Sequence, residues 1–370
     1  LFWDEQLSSD NTMACGTCHR PEHGGTDPRA HRNAGPDGEA LTEDDGFGSP
    51  GTPIPRAGRG SILDEVLSGN RHVTARLAPS NLMAAYAPEL FWDGRAPGAF
   101  RDPVSGAVRI AKGGALESQS VVPILNSAEM AHPGRTWDDV VKKLRGAKPL
   151  ALASDLPADL RRALEARPSY PELFAAAFGA NEITPERIAF AIASYQRTLI
   201  PDQTPYDRFV AGERDALTEN QRRGFRYFRG LRCAECHSPP WFTDHSYRNI
   251  GVRPLSEDPG RAAVTGKSED RGKFKVPSLR NVGIRPRFMH TGEFSALNSS
   301  LRVYRFPRRG NQIDPLLNHP IHANPQGNDQ TPLMDFLRHA LTDPRVVKGL
   351  PPFDRPKLQS ERQQALAKSK

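Results

Sequence analysis

The sequence predicts a mainly α-helical protein with long loops, arranged as two domains of similar plan. Its 370 residues are enough for two domains, since one domain usually contains roughly 100–200 residues. Several segments have the periodicity of amphipathic helices, whereas strand patterns are weak and scattered. The 31 glycines and 34 prolines exceed average usage. We therefore expect long irregular connections between the helices.

Most of the helical patterns lie in the middle of the chain. The strongest begins at Pro185, which occupies the first helical position after Thr184 as N-cap and before Glu186, a typical helix start. The predicted helices cover residues 137–144, 160–166, 170–178, 185–199 and 218–228. The segment 31–60 is rich in Gly, Asp and Pro and predicts a long loop.

Two segments of the chain are similar to each other and suggest an old duplication. Residues 15–27 read CGTCHRPEHGGTD and residues 233–244 read CAECHSPPWFTD. Each is followed by a Pro-Ser pair and then by a loop that contains glycine. A boundary near residues 201–205 gives predicted domains of residues 1–203 and 204–370.

The charge and hydropathy of the sequence argue against a membrane span and against a nucleic-acid partner. No run of 18 or more apolar residues occurs, so no membrane span is expected. The net charge is +7, but no basic run is interleaved with aromatic residues, so we expect no nucleic-acid partner. The chain opens at Leu1 without a signal peptide, and we expect a leader and some mature residues to precede it.

All four cysteines lie in two Cys-x-x-Cys pairs, each followed directly by histidine. They form the sets Cys15, Cys18, His19 and Cys233, Cys236, His237. This is the attachment pattern of c-type haem, because two thiols at this spacing can add to the vinyl groups of one porphyrin while the histidine binds its iron. The alternatives are a zinc site, a redox pair or disulfides. None of them requires histidine at both positions.

Four motifs occur in a distinctive order around these two sites. They are LFWDEQLSSDNTMACGTCH at the N-terminus, FWDGR at 91–95, FKVPSLRNVG at 274–283 and MHTGEF at 289–294. This set resembles the bacterial di-haem cytochrome c peroxidase and MauG superfamily over essentially the whole chain. The resemblance implies two covalently bound haem c groups. It places a peroxide-reacting haem in the N-terminal domain and an electron-handling haem in the C-terminal domain.

The resemblance also assigns an aromatic residue between the two haems. The FWDGR match puts the family's inter-haem tryptophan at Trp92, which we expect to relay electrons. Without the resemblance, Trp92 would be interpreted as an ordinary core aromatic. His290 and Arg280 also match family motifs, and the resemblance implies that they lie near the second haem. Propionate pairing and loop packing remain open as their roles.

The peroxide pocket is predicted from a segment at 119–130. Peroxide chemistry needs a group that moves a proton between the two oxygens, which a carboxylate near the iron can do. The segment resembles the family's distal segment, with Glu129 as the acid and Gln119 as its polar neighbour. Alone, Glu129 would be interpreted as a solvated helix residue. No sixth ligand is evident nearby, so His19 is expected to leave its iron open.

The sixth ligand of the second iron distinguishes two branches of the superfamily. By resemblance it lies 14 residues after the histidine of the His-x-Gly loop, and counting from His290 gives Tyr304. Peroxidases have methionine there, whereas the MauG branch has tyrosine. A phenolate favours oxidised iron, whereas a thioether raises the haem potential. The alternative is that Tyr304 is a packed aromatic and that Met289 or another histidine binds the iron.

The sequence departs from the family pattern in two places. Leu231 stands where MauG has a surface tryptophan that passes oxidising equivalents to a bound protein. Leu77 replaces an asparagine that binds an inter-domain calcium ion in the family, and nearby Asn81 is a candidate substitute. The sequence therefore leaves open by which residue oxidising equivalents would leave the protein and whether a calcium ion is bound.

Taken together, these motifs predict a periplasmic di-haem oxidoreductase that reacts with hydrogen peroxide. We expect it to use a high-valent di-haem state to oxidise a protein substrate, a redox-partner protein or another external donor, as MauG does. The alternatives are an ordinary di-haem cytochrome c peroxidase that reduces hydrogen peroxide to water and a pure electron-transfer cytochrome. The last would need both irons six-coordinate and inert to peroxide.

Overall fold

The computed structural model describes most of the chain. The described ranges are residues 1–39, 41–54, 70–305, 312–317 and 331–368. Helices dominate these ranges, and strands are few and short. The predicted mainly helical class is therefore confirmed. None of the helices in these ranges combines the length and hydropathy that a bilayer crossing requires.

The helices are numbered in chain order. They are α1 (Cys15–Cys18), α2 (Ala115–Leu125), α3 (Trp137–Gly146), α4 (Ala158–Ala166), α5 (Tyr170–Phe178), α6 (Pro185–Gln196), α7 (Pro205–Val210), α8 (Glu219–Gly230), α9 (Ala262–Thr265), α10 (Leu297–Ser300), α11 (Arg302–Arg305), α12 (Thr331–Asp335), α13 (Pro344–Lys348) and α14 (Gln359–Lys368). A π-helical turn follows α12, and short 3-10 turns include Ala84–Tyr86 and Cys233–Glu235.

The strands of the described ranges pair into four small antiparallel sheets. The pairs are β1 (His31–Asn33) with β2 (Gly46–Gly48), β3 (Pro50–Pro53) with β4 (Arg71–Val73), β5 (Phe100–Arg101) with β6 (Val108–Ile110), and β7 (Tyr247–Arg248) with β8 (Phe274–Lys275). Three of these strands lie in the described part of the predicted loop 31–60. They are too short to have an alternating apolar pattern, which explains why the sequence did not predict them.

The five predicted helices are present, and their ends follow from local chemistry. The hydroxyl of Thr184 accepts the backbone N–H of Arg187 at 3.2 Å, as the predicted N-cap of α6 requires. That helix ends at Gln196 rather than at 199, because the chain tightens there: the N–H groups of Thr198 and Leu199 bond the carbonyl oxygens three residues back, those of Tyr195 and Gln196. Helix α2 was not predicted. It is buried on several sides and contains Pro123, so its sequence has no single apolar stripe.

Buried hydrophobic side chains form two main clusters. The first combines the N-terminal segment with α2 to α6: Phe2, Trp3, Leu7, Met13, Ile124, Met130, Val140, Leu144, Leu150, Tyr170, Phe174, Ile183, Ile188, Ile192 and Leu358. The second is formed by residues after 205: Tyr206, Leu217, Phe228, Phe242, Val282, Leu297, Leu333, Met334, Phe336, Leu337, Ala340 and Leu341. Leu358 returns from the C-terminal part of the chain to the first cluster. The division at 203 stays a prediction.

Candidate functional site

The first Cys-x-x-Cys-His segment forms the short helix α1, and its histidine is held by a backbone carbonyl. His19 Nδ1 donates to the carbonyl oxygen of Gly25 at 3.2 Å, which leaves Nε2 as the nitrogen available to a metal. Burial lowers the pKa of His19, which keeps the ring neutral. Gly16 lies against Trp3, and a Cβ there would be 2.1 Å from the indole ring. Only glycine fits at this position.

A cavity of about 690 Å³ lies beside this segment and is called the first cavity. Cys18 and His19 line it together with Gln119 and Glu129, so the structure places the predicted residues around one space. The volume is within the usual range of ligand pockets. Burial raises the pKa of Glu129, which favours a protonated carboxyl.

The turn after α2 determines where Glu129 lies. Asn126 ends the helix, and its carbonyl oxygen accepts the backbone N–H groups of Glu129 and Met130, both at 3.0 Å. The Asn126 side chain also donates to Glu129 Oε1 at 2.8 Å. Gln119 lies on α2, where its amide oxygen accepts from Gln196 at 3.5 Å. Asn126 thus stabilises the turn through its backbone and holds the Glu129 carboxyl group through its side chain.

The second Cys-x-x-Cys-His segment has the same type of histidine anchor. His237 Nδ1 shares its proton between the carbonyl oxygens of Phe242 at 3.2 Å and Pro277 at 3.1 Å. Nε2 is again the nitrogen available to a metal. Burial lowers the pKa of His237 to about 4, and burial raises the pKa of Cys233 to about 12. The ring is neutral at ordinary pH.

A second cavity, of about 620 Å³, lies beside His237. Cys233 and Cys236 border it, and so do Tyr304 and Met289, the two alternative ligands from the sequence. No hydrogen bond joins the Tyr304 hydroxyl to another residue of the described ranges. Burial raises the pKa of Tyr304 above its usual value. The phenol is therefore neutral at ordinary pH.

Trp92 lies in the wall that separates the two cavities. It lines both of them, as do Leu77 and His290. The indole N–H donates to the carbonyl oxygen of Leu77 at 2.8 Å, and the ring meets His290 edge to face with centroids 6.2 Å apart. His290 in turn stacks on Phe274 at 3.6 Å. The predicted inter-site tryptophan is thus held between the two cavities rather than in a hydrophobic core.

A largely buried ion-pair network lines the first cavity beside this wall, and no sequence pattern predicts it. Arg76 contacts Asp93 at 2.6 Å and both carboxylate oxygens of Asp258 at 2.7 Å. Its guanidinium also lies 5.2 Å from the centre of the Phe274 ring. Asp93 belongs to the FWDGR motif, which was one available signal. Asp258 is 182 residues from Arg76 in sequence, and no local pattern indicates that they meet.

The other residues singled out in the sequence have simpler surroundings. Arg280 pairs with Asp207 at 2.6 Å and donates to the carbonyl oxygens of Pro201 and Pro240, which is loop packing. Leu231 lines the second cavity. Asn81 is buried, and neither the oxygen nor the nitrogen of its side-chain amide has a hydrogen-bond partner among the described residues.

The described ranges contain no cluster of three or more His, Cys, Asp or Glu side chains arranged to hold a metal ion. Whether the protein binds calcium therefore stays open, as it was from the sequence.

Comparisons with known proteins agree on one family. A family model described as di-haem cytochrome c peroxidase matches residues 1–215. The methylamine utilization protein MauG of Methylophilus methylotrophus is 31% identical over 310 residues, which cover 82% of this chain and 70% of that protein. Cytochrome c551 peroxidase of Nitrosomonas europaea is 28% identical over 307 residues, with 82% and 70% covered. Relatives of both types therefore match.

Solved structures show the same fold. A MauG-like protein associated with microbial copper homeostasis superimposes with a TM-score of 0.62 at 23% identity, covering 96% of this chain and 90% of that one. The diheme peroxidase BthA from Burkholderia thailandensis gives a TM-score of 0.61 at 23% identity, with 97% and 88% covered. At this identity the likeness concerns the fold alone.

Proposed function

The chain belongs to the di-haem cytochrome c peroxidase family, and we propose that within it the chain is a MauG-like enzyme that uses hydrogen peroxide to oxidise a protein or another external donor. Each Cys-x-x-Cys-His segment would hold one haem c through thioether bonds. Cys15 and Cys18 serve the first haem, and Cys233 and Cys236 serve the second. Since such attachment takes place outside the bacterial inner membrane in this family, we propose a periplasmic location.

The residues around each cavity fit a haem. Each histidine has its Nδ1 fixed by a carbonyl, so that Nε2 of His19 and of His237 is available to an iron, and neutral imidazole is the form that binds metals. The four thiols are not joined in disulfides. When bound, the two haems supply the redox chemistry by which electrons pass from a donor to peroxide. The protein side chains supply proton transfer, positioning and the path between the sites.

Glu129 is the group that would move the proton. Reduction of one peroxide molecule to two waters takes up two electrons and two protons, and one proton must pass from one oxygen to the other before the O–O bond breaks. Burial raises the pKa of the Glu129 carboxyl, which favours its protonated form, and a carboxyl can exchange a proton with a bound substrate. Asn126 keeps this carboxyl at the wall of the first cavity.

One observation carries the MauG-like assignment: Tyr304 is half-buried and borders the second cavity, and its hydroxyl has no hydrogen bond to any other described residue. A phenol oxygen that borders a cavity can bind a group held in it, and an iron held by His237 in the same cavity would provide that partner. Bound as a phenolate, Tyr304 would favour the oxidised iron. That preference suits an enzyme that shares oxidising equivalents with a donor, and it does not suit a haem that stores an electron.

The experiment replaces each candidate ligand separately. In the holoprotein, Tyr304→Phe should change the absorption and electron paramagnetic resonance spectra of the second haem, while Met289→Leu should leave them as in the wild type. The ordinary peroxidase is the second candidate, because Met289 lines the same cavity. It would be favoured if Met289→Leu removed a methionine-to-iron charge-transfer band and Tyr304→Phe had no effect.

A further inference from the structure

Two exposed aromatic side chains form a pair on the protein surface. Tyr86 ends the 3-10 turn Ala84–Tyr86, and Trp241 follows the second haem motif after two prolines. Their side chains are 49% and 40% exposed, and their ring centroids are 5.7 Å apart at an interplanar angle of 34°. They are the aromatic members of the exposed large hydrophobic residues in the described part of the chain.

Trp241 is linked to the proximal histidine of the second site by two short paths. His237 Nδ1 donates to the carbonyl oxygen of Phe242 at 3.2 Å, and Phe242 is bonded directly to Trp241. The same nitrogen donates to Pro277 at 3.1 Å. Ser278, the next residue, donates its hydroxyl to the Trp241 carbonyl oxygen at 2.6 Å. Both acceptors of the histidine proton thus lead to the same tryptophan.

Such paths favour electron transfer. Electronic coupling decays less through covalent bonds and hydrogen bonds than through space, so two parallel bonded routes couple the Trp241 backbone to the His237 ring. An indole or a phenol can also give up an electron to a strong oxidant, which an aliphatic side chain cannot. The tilted ring of Tyr86 extends the oxidisable surface towards Ala84, which lines the first cavity.

We propose that Trp241, with Tyr86 packed against it, is the surface point at which an electron from a redox-partner protein enters the chain on its way to the second haem site. This inference rests on the proposed function. In each transfer Trp241 gives one electron inward and is restored by one electron from the partner, so that the indole ends unchanged. Each hydrogen peroxide molecule needs two such transfers and takes up two protons from solvent to give two waters.

A protein is the partner that suits this surface. Tryptophan and tyrosine are enriched in the residues that contribute most to protein–protein binding, because they bury a large area at small entropic cost. Both rings are accessible from the same side of the molecule, since they contact each other and each remains about half exposed. A partner that covers the pair would bring its own redox centre next to an oxidisable ring.

The first test uses the holoprotein and hydrogen peroxide without any donor. In the absence of a donor, Trp241 should give up an electron that is not replaced, and freeze-quench electron paramagnetic resonance should detect an organic radical. Peptide mass spectrometry should then find added oxygen on Trp241. Trp241→Phe should lower the radical yield at least about tenfold. The matched control is Trp137→Phe, a partly buried tryptophan of the first hydrophobic cluster, which should retain the wild-type yield.

The second test measures electron delivery from a protein donor, with ferrocytochrome c as the probe. Trp241→Phe should slow its oxidation at least about tenfold, and Trp241→Tyr, which keeps an oxidisable ring, should restore part of the rate. Haem content and absorption spectra identify variants that fold. Unchanged radical yield and unchanged oxidation of ferrocytochrome c in Trp241→Phe would overturn the inference.

The wild type separates this inference from the proposed function. If the wild-type holoprotein consumes peroxide with ascorbate as donor but shows neither the radical nor the modified Trp241, the inference alone is wrong. If it consumes no peroxide with any donor, the proposed function and the inference fall together.

Discussion

Arg76 is expected to contribute more to stability than any exposed arginine near the site. Its side chain is 15% exposed, and its partners Asp93 and Asp258 are 7% and 21% exposed. Arg76→Met keeps the aliphatic stem but leaves two largely buried carboxylates without this cation. Removing one partner of a buried ion pair costs about 3–5 kcal/mol. We expect the lower end, about 3 kcal/mol, because Arg95 still contacts Asp93 at 3.1 Å.

Arg95 provides the matched control, since it shares the partner Asp93 but is 41% exposed. Arg95→Met should lower the free energy of unfolding by no more than about 1 kcal/mol. The assay is urea unfolding of the holoprotein at pH 7, followed by far-ultraviolet circular dichroism. A loss below about 1 kcal/mol for Arg76→Met, or equal losses for the two variants, would refute this reasoning.

The pH dependence of the same difference gives a second check. Arg76 holds the pKa values of Asp93 and Asp258 below their usual range, against the opposing effect of burial. For acids with a depressed folded pKa, the stabilisation is present above the unfolded pKa of about 3.9 and is lost as the pH falls through the folded pKa. The difference between wild type and Arg76→Met should therefore shrink when the pH falls below about 4.

Three further predictions concern single residues. Glu129→Gln should slow the reaction with peroxide by about 10²–10⁴-fold in stopped-flow measurements, while the exposed Glu165→Gln should have no effect. Gly16→Ala should cost about 1–3 kcal/mol in urea unfolding, because its Cβ would lie 2.1 Å from a tryptophan ring; Gly146→Ala, which meets nothing within 4 Å, should be neutral or stabilising. Burial lowers the pKa of His290 to about 3. The free energy of unfolding should therefore fall as the pH drops from about 6.5 towards 3, because the unfolded chain binds a proton that the folded chain does not. His290→Asn should make this pH dependence weaker.

The parts of the site that follow from short sequence spacing were predictable. The two attachment segments are continuous in sequence, so the Cys-x-x-Cys-His pattern alone identifies His19 and His237. Helix α6 was predictable because three consecutive residues, Thr184, Pro185 and Glu186, form a typical helix start. Trp92 and Glu129 were found by motif resemblance, and the structure places both at the walls of the cavities.

The remaining features depend on contacts between distant parts of the chain. Arg76 meets Asp258 across 182 residues, and Tyr86 meets Trp241 across the two halves of the sequence. Neither pairing leaves a local periodicity. Helix α2 was missed for a related reason, because its neighbours bury it on several sides and remove the apolar stripe that marks a surface helix.

The central claim is that the second haem, with Tyr304 as its ligand, allows the fully oxidised enzyme to react with peroxide. The most direct measurement adds one equivalent of hydrogen peroxide to the fully oxidised holoprotein and follows both irons by Mössbauer spectroscopy and near-infrared absorption. We predict that both irons change together and that no prior reduction is needed. If no reaction occurs until one haem has been reduced, the claim is contradicted and the protein is an ordinary di-haem peroxidase.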